Sequence, residues 1–149
     1  PGKPTSSNPY ENARSVLFVC GMNSIRSPMA ERLLKDICGV RIYCDSAGVN
    51  AGEMDGFAVA VMKERGLSME SHVSKRLEDM DDHYFDLIIT LAPPAHHQTL
   101  ELTSGDSVEI EYWPTMDPSN VAGSRDQVLD AYRQVRDSLE KKIREKFAS

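Results

Sequence analysis

The sequence is short of three features: long apolar runs, positive charge and paired cysteines. No apolar run approaches the roughly 20 residues that a membrane-spanning helix needs, so we expect no membrane partner. The 149 residues include 17 Lys and Arg against 23 Asp and Glu, for a formal net charge of −6. Nucleic-acid binding depends mainly on neutralising phosphates with basic side chains, so we expect no nucleic-acid partner. An anionic ligand would need a local positive site.

The three cysteines form no Cys-x-x-Cys pair, and the adjacent His96 and His97 point in different directions on any regular element. This spacing does not suit a zinc site, and we predict no metal and no other cofactor. A sparse, odd number of cysteines favours a reducing compartment, so we expect a cytoplasmic protein. Cys38 and Cys44 have apolar neighbours, which favours packing in the core for both.

The first 14 residues are polar, rich in Pro, Ser and Asn, and lack the apolar core of a secretory signal. We expect residues 1–14 to form a flexible arm and residues 15–149 to form a single domain. Hydrophobic residues make up 40% of the chain, which is enough for a core without disulfides. The sequence leaves the oligomeric state open.

Predicted strands and helices alternate from residue 15 onwards. Helical patterns begin at Pro28 and Gly56, and a capping box at 124–127 begins a long helix with an apolar stripe. Residues 46–48 are expected to terminate the second strand, and residues 92–106 are expected to form a surface loop after the third. The alternation predicts an α/β, three-layer fold with a four-stranded, mainly parallel sheet flanked by helices. The predicted strands are 15–20, 40–45, 85–91 and 108–113.

A loop of small and polar residues separates the first predicted strand from the first helix. In an open α/β sheet, ligands bind at loops that follow the carboxyl ends of strands and lead into helix N-termini. Backbone N–H groups and the positive helix end make such a loop an anion cradle. Arg26 adds a planar fork of donors for two oxyanion oxygens. The candidate loop residues are Cys20, Gly21, Met22, Asn23, Ser24, Ile25, Arg26 and Ser27.

The same positive field favours the thiolate form of Cys20, which is then a nucleophile for a bound phosphorus or arsenic oxyanion. Ser27 can donate its hydroxyl to the thiolate or help it leave in a second step. The alternative is that Cys20 is a small buried side chain at a strand end, as free cysteine often is. The strand before the loop, the helix after it, Ser27 and Pro28 together favour catalysis.

Residues 16–20, 23 and 26–31 are followed in order by 45–48 and by Asp117-Pro118. With these segments the sequence resembles the low-molecular-weight protein tyrosine phosphatases and the related thioredoxin-coupled arsenate reductases, over almost the whole chain. The resemblance implies hydrolysis of phosphomonoesters, of phosphotyrosine type or small aryl phosphates, in a phosphorylated protein or small-molecule substrate. It implies a phosphoenzyme on Cys20, with Arg26 and the rest of the loop binding the phosphoryl group.

The resemblance also places the general acid at Asp117, on a loop after the fourth predicted strand. One carboxyl group can protonate the leaving oxygen and then activate water, and Pro118 restricts Asp117 to an extended conformation. Asp-Pro-Ser-Asn is also an ordinary turn sequence, so this assignment depends on the resemblance. So does the implied role of Asn23, which is to hold the loop in its cradle shape.

The sequence departs from these families in four respects. Ile25 stands where many members have a second loop cysteine, and Met22 stands where glycine is usual. Aromatic residues that flank the phosphatase pocket are missing from 48–54 and 117–120, which puts specificity for phosphotyrosine in doubt. Residues 88–97 hold no thiol, although the arsenate reductases have relay cysteines there. We therefore expect hydrolysis, with an arsenate reductase that uses an external donor such as glutathione or glutaredoxin as the alternative.

Overall fold

The structure is a computed structural model and describes residues 15–80 and 85–148. Its four strands form one sheet in the order β2-β1-β3-β4, and each neighbouring pair is parallel. The predicted α/β class is therefore confirmed, while the predicted arm at 1–14 lies outside the described residues. The strands are β1 (Ser15–Cys20), β2 (Tyr43–Gly48), β3 (Leu87–Thr90) and β4 (Glu109–Tyr112). The helices are α1 (Arg26–Cys38), α2 (Gly56–Glu64), α3 (Pro93–Leu102) and α4 (Arg125–Phe147).

Helices cover both faces of the sheet. Alternate side chains of β1 divide between two hydrophobic clusters, because successive residues of a strand point to opposite faces. Val16 and Phe18 belong to the cluster that includes α1, α2 and α4, whereas Leu17 and Val19 belong to the cluster that includes α3. The fold thus has the predicted three layers. Burial on both faces explains why β1 is a continuous apolar run.

The long helix α4 begins as the sequence predicts. Ser124 Oγ accepts a hydrogen bond from the N–H of Gln127 at 3.2 Å, and Gln127 Oε1 accepts from the N–H of Ser124 at 2.8 Å. These two bonds satisfy N–H groups that have no partner within the helix. None of the helices in the described residues is both long and apolar enough to cross a membrane.

The expectation of a loop over 92–106 is wrong, because Pro93–Leu102 form α3. Pro93 and Pro94 occupy the first two positions of this helix. Proline is well tolerated there, since the N–H groups that it lacks have no partner in a first helical turn. The proline pair therefore begins a helix directly after β3.

The second strand also differs from the prediction of 40–45. Gly39–Arg41 form a short 3₁₀ turn, and the strand runs from Tyr43 to Gly48. Ser46, Ala47 and Gly48 continue the strand, paired with residues 18–20 of β1, instead of ending it. Small residues occupy this end of β2 because the loop after β1 passes close to it.

Candidate active site

The loop at 20–27 follows β1, an inner strand of the sheet, at its carboxyl end. Its carbonyl groups bond to the surrounding structure. In a trans peptide unit the N–H and C=O groups point in opposite directions, so the N–H groups of residues 21–23 and 25 point away from the partners of these carbonyls. This loop and the N-terminus of α1 are the candidate anion cradle, called the cradle below. The N–H groups of Val49, Asn50, Gly52 and Asp55 bond the carbonyls of Cys20, Gly21, Met22 and Ser24 at 2.8–3.1 Å.

Asn23 holds the loop from within. The residue is fully buried and adopts a left-handed conformation with φ 52°, which Asn tolerates better than most residues. Its Nδ2 donates to Ser27 Oγ at 2.9 Å and to Ser46 Oγ at 3.0 Å. Its Oδ1 accepts from the N–H of Lys75 at 3.0 Å. One side chain thus connects the loop to α1, β2 and the segment before β3.

A second group of side chains supports the loop from outside. Ser74 Oγ donates to the carbonyl of Asn23 at 2.6 Å, and His72 Nε2 lies 3.3 Å from the same oxygen. Burial lowers the pKa of His72 below its usual value, against the opposing effect of Glu31. A neutral His72 therefore donates Nε2–H to the loop. Glu31 accepts a hydrogen bond from Ser46 Oγ at 2.6 Å and so joins the same network.

The last residue of β2, at position 48, is glycine because the loop leaves no room for a side chain there. A Cβ atom at this position would lie 2.6 Å from the N atom of Asn23 and 2.9 Å from the carbonyl carbon of Met22. It would also collide with the carbonyl oxygen of Asn50. The close approach of two backbone segments thus explains the glycine that follows Ser46 and Ala47.

Cys20 lies at the floor of the cradle, with 2% of its surface exposed. Its Sγ is 2.8 Å from Ser27 Oγ, and the N–H of Ser27 donates to the same sulfur at 3.4 Å. Ser27 Oγ accepts a hydrogen bond from Asn23 Nδ2, and its hydroxyl can donate to the carbonyl of Ala47 at 3.3 Å. Cys20 Sγ thus accepts from the N–H of Ser27 and lies within hydrogen-bond distance of its hydroxyl.

Arg26 and Asp117 meet at the mouth of the cradle. Arg26 Nη1 donates to the carbonyl of Thr115 at 2.9 Å, and its Nη2 lies 3.8 Å from Asp117 Oδ2. Asp117 Oδ1 accepts from the N–H of Ser119 at 3.0 Å and from its hydroxyl at 2.7 Å. The fold therefore brings the predicted acid to the predicted nucleophile loop, and it leaves one carboxylate oxygen directed at Arg26.

Two residues beside the loop were not singled out in the sequence. Asp55 caps α2 through Oδ1, which accepts from the N–H groups of Phe57 and Ala58, and Oδ2 accepts from Tyr132 Oη at 3.0 Å. Burial and the nearby carboxylates Asp55 and Asp117 raise the pKa of Tyr132. Tyr132 belongs to the apolar stripe of α4, so its pattern in the sequence indicated only core packing.

Neither of the other cysteines is within reach of Cys20. Cys44 pairs with Val16, whereas Cys20 pairs with Gly48, so four strand residues, or about 13 Å, separate the two cysteines. Cys38 ends α1, about 18 Å from the start of that helix. A disulfide needs Cα atoms within roughly 7 Å. Both cysteines are buried in the core, as predicted, and burial raises the pKa of Cys44 to about 12.

Comparisons with known proteins show two kinds of similar enzyme. Arsenate reductase 2 of Staphylococcus epidermidis is 31% identical over 87% of this chain and 93% of its own length. A glutaredoxin arsenate reductase of Synechocystis is 27% identical over 87% of this chain and 93% of its own. A tyrosine phosphatase from Erwinia amylovora superposes with a TM-score of 0.71 at 26% identity, over 89% of each chain. An arginine phosphatase from Geobacillus stearothermophilus superposes with a TM-score of 0.73 at 25% identity, over 87% of this chain and 88% of that one.

Residues 15–149 match the family model of the low molecular weight phosphotyrosine protein phosphatases. The chain therefore belongs to this family and is an enzyme of the superfamily that the phosphatases share with the arsenate reductases.

Proposed function

We propose that this protein is a cysteine-dependent phosphatase that hydrolyses phosphomonoesters, of phosphotyrosine type or small aryl phosphates, through a phosphoenzyme on Cys20. One observation carries the proposal. Cys20 Sγ lies 2.8 Å from Ser27 Oγ in the loop that leads into α1, and Arg26 of the same loop lies 3.8 Å from the carboxylate of Asp117. The loop that holds the nucleophile thus also holds the arginine that meets the acid.

In the first step, the Cys20 thiolate attacks phosphorus, and an S–P bond forms as the ester P–O bond breaks. The loop N–H groups and Arg26 bind the phosphoryl oxygens and stabilise the charge that they carry in the transition state. Asp117 donates its proton to the leaving oxygen. The products are the free alcohol or phenol and a phosphocysteine beside a now ionised Asp117.

In the second step, Asp117 removes a proton from water, whose oxygen attacks the phosphocysteine. The S–P bond breaks, inorganic phosphate leaves, and Cys20 returns as a thiolate. Ser27 Oγ, 2.8 Å from the sulfur, stabilises this leaving thiolate. A catalytic thiol with no partner cysteine suits a reducing compartment such as the cytoplasm.

Arsenate reduction is the second candidate, because the relatives that are about 30% identical carry that name. Arsenate is a tetrahedral oxyanion like phosphate, so the same cradle fits it. Reduction to arsenite requires two electrons from thiols. Cys38 and Cys44 are buried away from Cys20, so a first external thiol would attack the sulfur of the Cys20–arsenate adduct, releasing arsenite and leaving a mixed disulfide on Cys20. A second external thiol would reduce that disulfide, so a donor such as glutathione or glutaredoxin would supply both electrons overall.

The test is hydrolysis of p-nitrophenyl phosphate by the wild type and three variants. Cys20→Ser should abolish turnover, and Asp117→Asn should lower kcat by roughly 10²-fold or more, the usual contribution of a general acid. Asp126→Asn, an exposed carboxylate in the first turn of α4, is the matched control and should keep wild-type activity. Turnover that survives Cys20→Ser would sink the proposal.

The same preparations decide the alternative. Arsenite release is followed with dithiothreitol, with glutathione plus glutaredoxin, and with thioredoxin plus its reductase. Cys20-dependent release of arsenite with any one donor establishes arsenate reduction. If no donor supports arsenite release, arsenate reduction is ruled out as the function.

A further inference from the structure

Helices α2 and α4 pack side by side and are joined by different contacts at their two ends. Asp55, which caps α2, bonds the carbonyl of Ser24 in the cradle through its own N–H, so α2 begins beside the cradle. The nine residues of α2 extend about 13 Å, and beyond them Arg65 Nη2 lies 2.6 Å from Glu140 Oε2 of α4. At the cradle end, Tyr132 Oη of α4 donates to Asp55 Oδ2 at 3.0 Å.

The hydroxyl of Tyr132 lies in an apolar setting. The residue is 1% exposed, and its ring packs against that of Phe57 with the centroids 5.4 Å apart. A buried hydroxyl requires a hydrogen-bond partner, and the carboxylate of Asp55 is that partner. Because burial and this carboxylate raise the pKa of Tyr132, the hydroxyl keeps its proton and remains a donor. Tyr132 is therefore both a core side chain and a directed polar contact.

Asp55 carries this contact to the cradle. Its Oδ1 accepts from two N–H groups in the first turn of α2, at 2.8 and 3.1 Å, while Oδ2 accepts from Tyr132. With both oxygens held, the N–H of Asp55 donates to the carbonyl of Ser24 at 3.1 Å. That carbonyl and the N–H of Ile25 belong to one planar peptide unit, so the two groups turn together. Tyr132 thus acts on an N–H of the cradle that it does not touch.

We propose that Tyr132 is a positioning residue of the active site, which through Asp55 fixes the Ser24–Ile25 peptide so that the N–H of Ile25 can bind an oxyanion. Its effect on turnover rests on the hydrolase function above, whereas its effect on anion binding does not. Oxyanion donors are effective because they are fixed before the anion arrives, and a small change of direction is costly. If the hydroxyl served only core packing, its loss would leave anion binding unchanged.

Tyr132→Phe removes the hydroxyl and keeps the ring. Titration calorimetry with inorganic phosphate measures binding in the cradle, and p-nitrophenyl phosphate measures turnover. We expect phosphate to bind roughly fivefold more weakly and kcat/KM to fall by roughly tenfold. Asp117→Asn, which changes the acid instead of the cradle, should lower kcat without weakening phosphate binding. The two variants therefore differ in a measurement that a loss of activity alone does not provide.

Asp55→Ser tests the route through Asp55. Serine keeps a capping oxygen for α2 but has no second oxygen to accept from Tyr132. The double variant with Tyr132→Phe should bind phosphate about as weakly as Asp55→Ser alone, because both changes remove the same hydrogen bond.

Two matched controls separate positioning from packing. Arg65→Gln breaks the contact between α2 and α4 at the end away from the cradle. Tyr43→Phe removes a phenol hydroxyl from the start of β2, where Tyr43 is 63% exposed. Urea unfolding measures the stability of each variant. Whatever stability Arg65→Gln loses, both controls should keep the phosphate affinity and kcat/KM of the wild type.

Wild-type phosphate affinity in Tyr132→Phe overturns the proposal, and so does an equal loss in Arg65→Gln, since packing would then be the cause. Additive losses in the double variant overturn the route through Asp55. If Tyr132→Phe does not fold, wild-type phosphate affinity in Asp55→Ser overturns the proposal instead. If Tyr132→Phe weakens phosphate binding but the wild type hydrolyses no ester, the positioning role stands and the hydrolase proposal fails. If Cys20-dependent hydrolysis and phosphate affinity are both unchanged in Tyr132→Phe, the hydrolase stands and the positioning role fails.

Discussion

Replacement of Asn23 by alanine tests how the cradle is held in shape. Asn23 has φ 52° and is fully buried. Its side chain donates to Ser27 and Ser46 and accepts from the backbone of Lys75, at 2.9–3.0 Å. Alanine keeps none of these bonds and adopts a left-handed backbone less readily than asparagine. We expect a loss of both stability and catalysis.

The magnitude follows from these contacts. Each hydrogen bond contributes about 1 kcal/mol net, so the three together contribute about 3 kcal/mol. A left-handed conformation costs alanine about 1 kcal/mol, a cost that the local hydrogen bonds of asparagine offset. Asn23→Ala should therefore lower the free energy of unfolding by about 4 kcal/mol, a large part of the 5–15 kcal/mol that is usual for a domain.

Urea unfolding measures the free energy of unfolding, and p-nitrophenyl phosphate hydrolysis measures kcat/KM. Asn23→Gly is the matched control. It removes the same three hydrogen bonds but adopts positive φ freely, so it should be about 1 kcal/mol less destabilised than Asn23→Ala. Both variants should lose at least about tenfold in kcat/KM, because Ser27 loses the donor that orients it towards Cys20. A loss below 1 kcal/mol in Asn23→Ala together with unchanged kcat/KM would refute the reasoning.

Three further predictions concern Gly48, His72 and Cys44. Gly48→Ala places a Cβ atom 2.6 Å from the N atom of Asn23, so urea unfolding should show a loss of about 2 kcal/mol and inorganic phosphate should inhibit less strongly; wild-type values for both would contradict this. Burial lowers the folded-state pKa of His72 below 6.5. As the pH falls, His72 is therefore protonated at a higher pH in the unfolded chain than in the folded protein. Stability should then fall as the pH drops below about 6.5, by at most about 1.4 kcal/mol per pH unit. Thermal unfolding of His72→Gln should show a flatter pH dependence, and equal slopes in both proteins would count against it. Because burial raises the pKa of Cys44 to about 12, mass spectrometry should find iodoacetate on Cys20 and not on Cys44 at about pH 8; equal labelling of both would be the contrary result.

The fold was predictable where local signals agree with one another. The apolar run of β1, the small polar loop after it and the capping box at Ser124 each have one good interpretation, and all three are confirmed. Pro93-Pro94 has two good interpretations, because a proline pair can end a strand or begin a helix. Only the packing of Ala92 and Ala95 against β1 and β3 selects the helix.

The misplaced second strand has a different cause. Ser46-Ala47-Gly48 resembles a turn, since small residues dominate turns. In the structure Gly48 lacks a side chain because the backbone at Asn23 approaches it closely. That contact joins positions 25 residues apart, and no local pattern reports it.

The sequence by itself determined the class of the fold and the loop between the first strand and the first helix, because strand, loop and helix follow one another without a gap and their signals are local. The tertiary structure alone decided what surrounds the cradle. The strand order β2-β1-β3-β4 brings the loop that holds Asp117 beside Arg26. The same structure separates Cys20 from the other two cysteines. These relations depend on distances between strands and helices, which the order of residues along the chain does not contain.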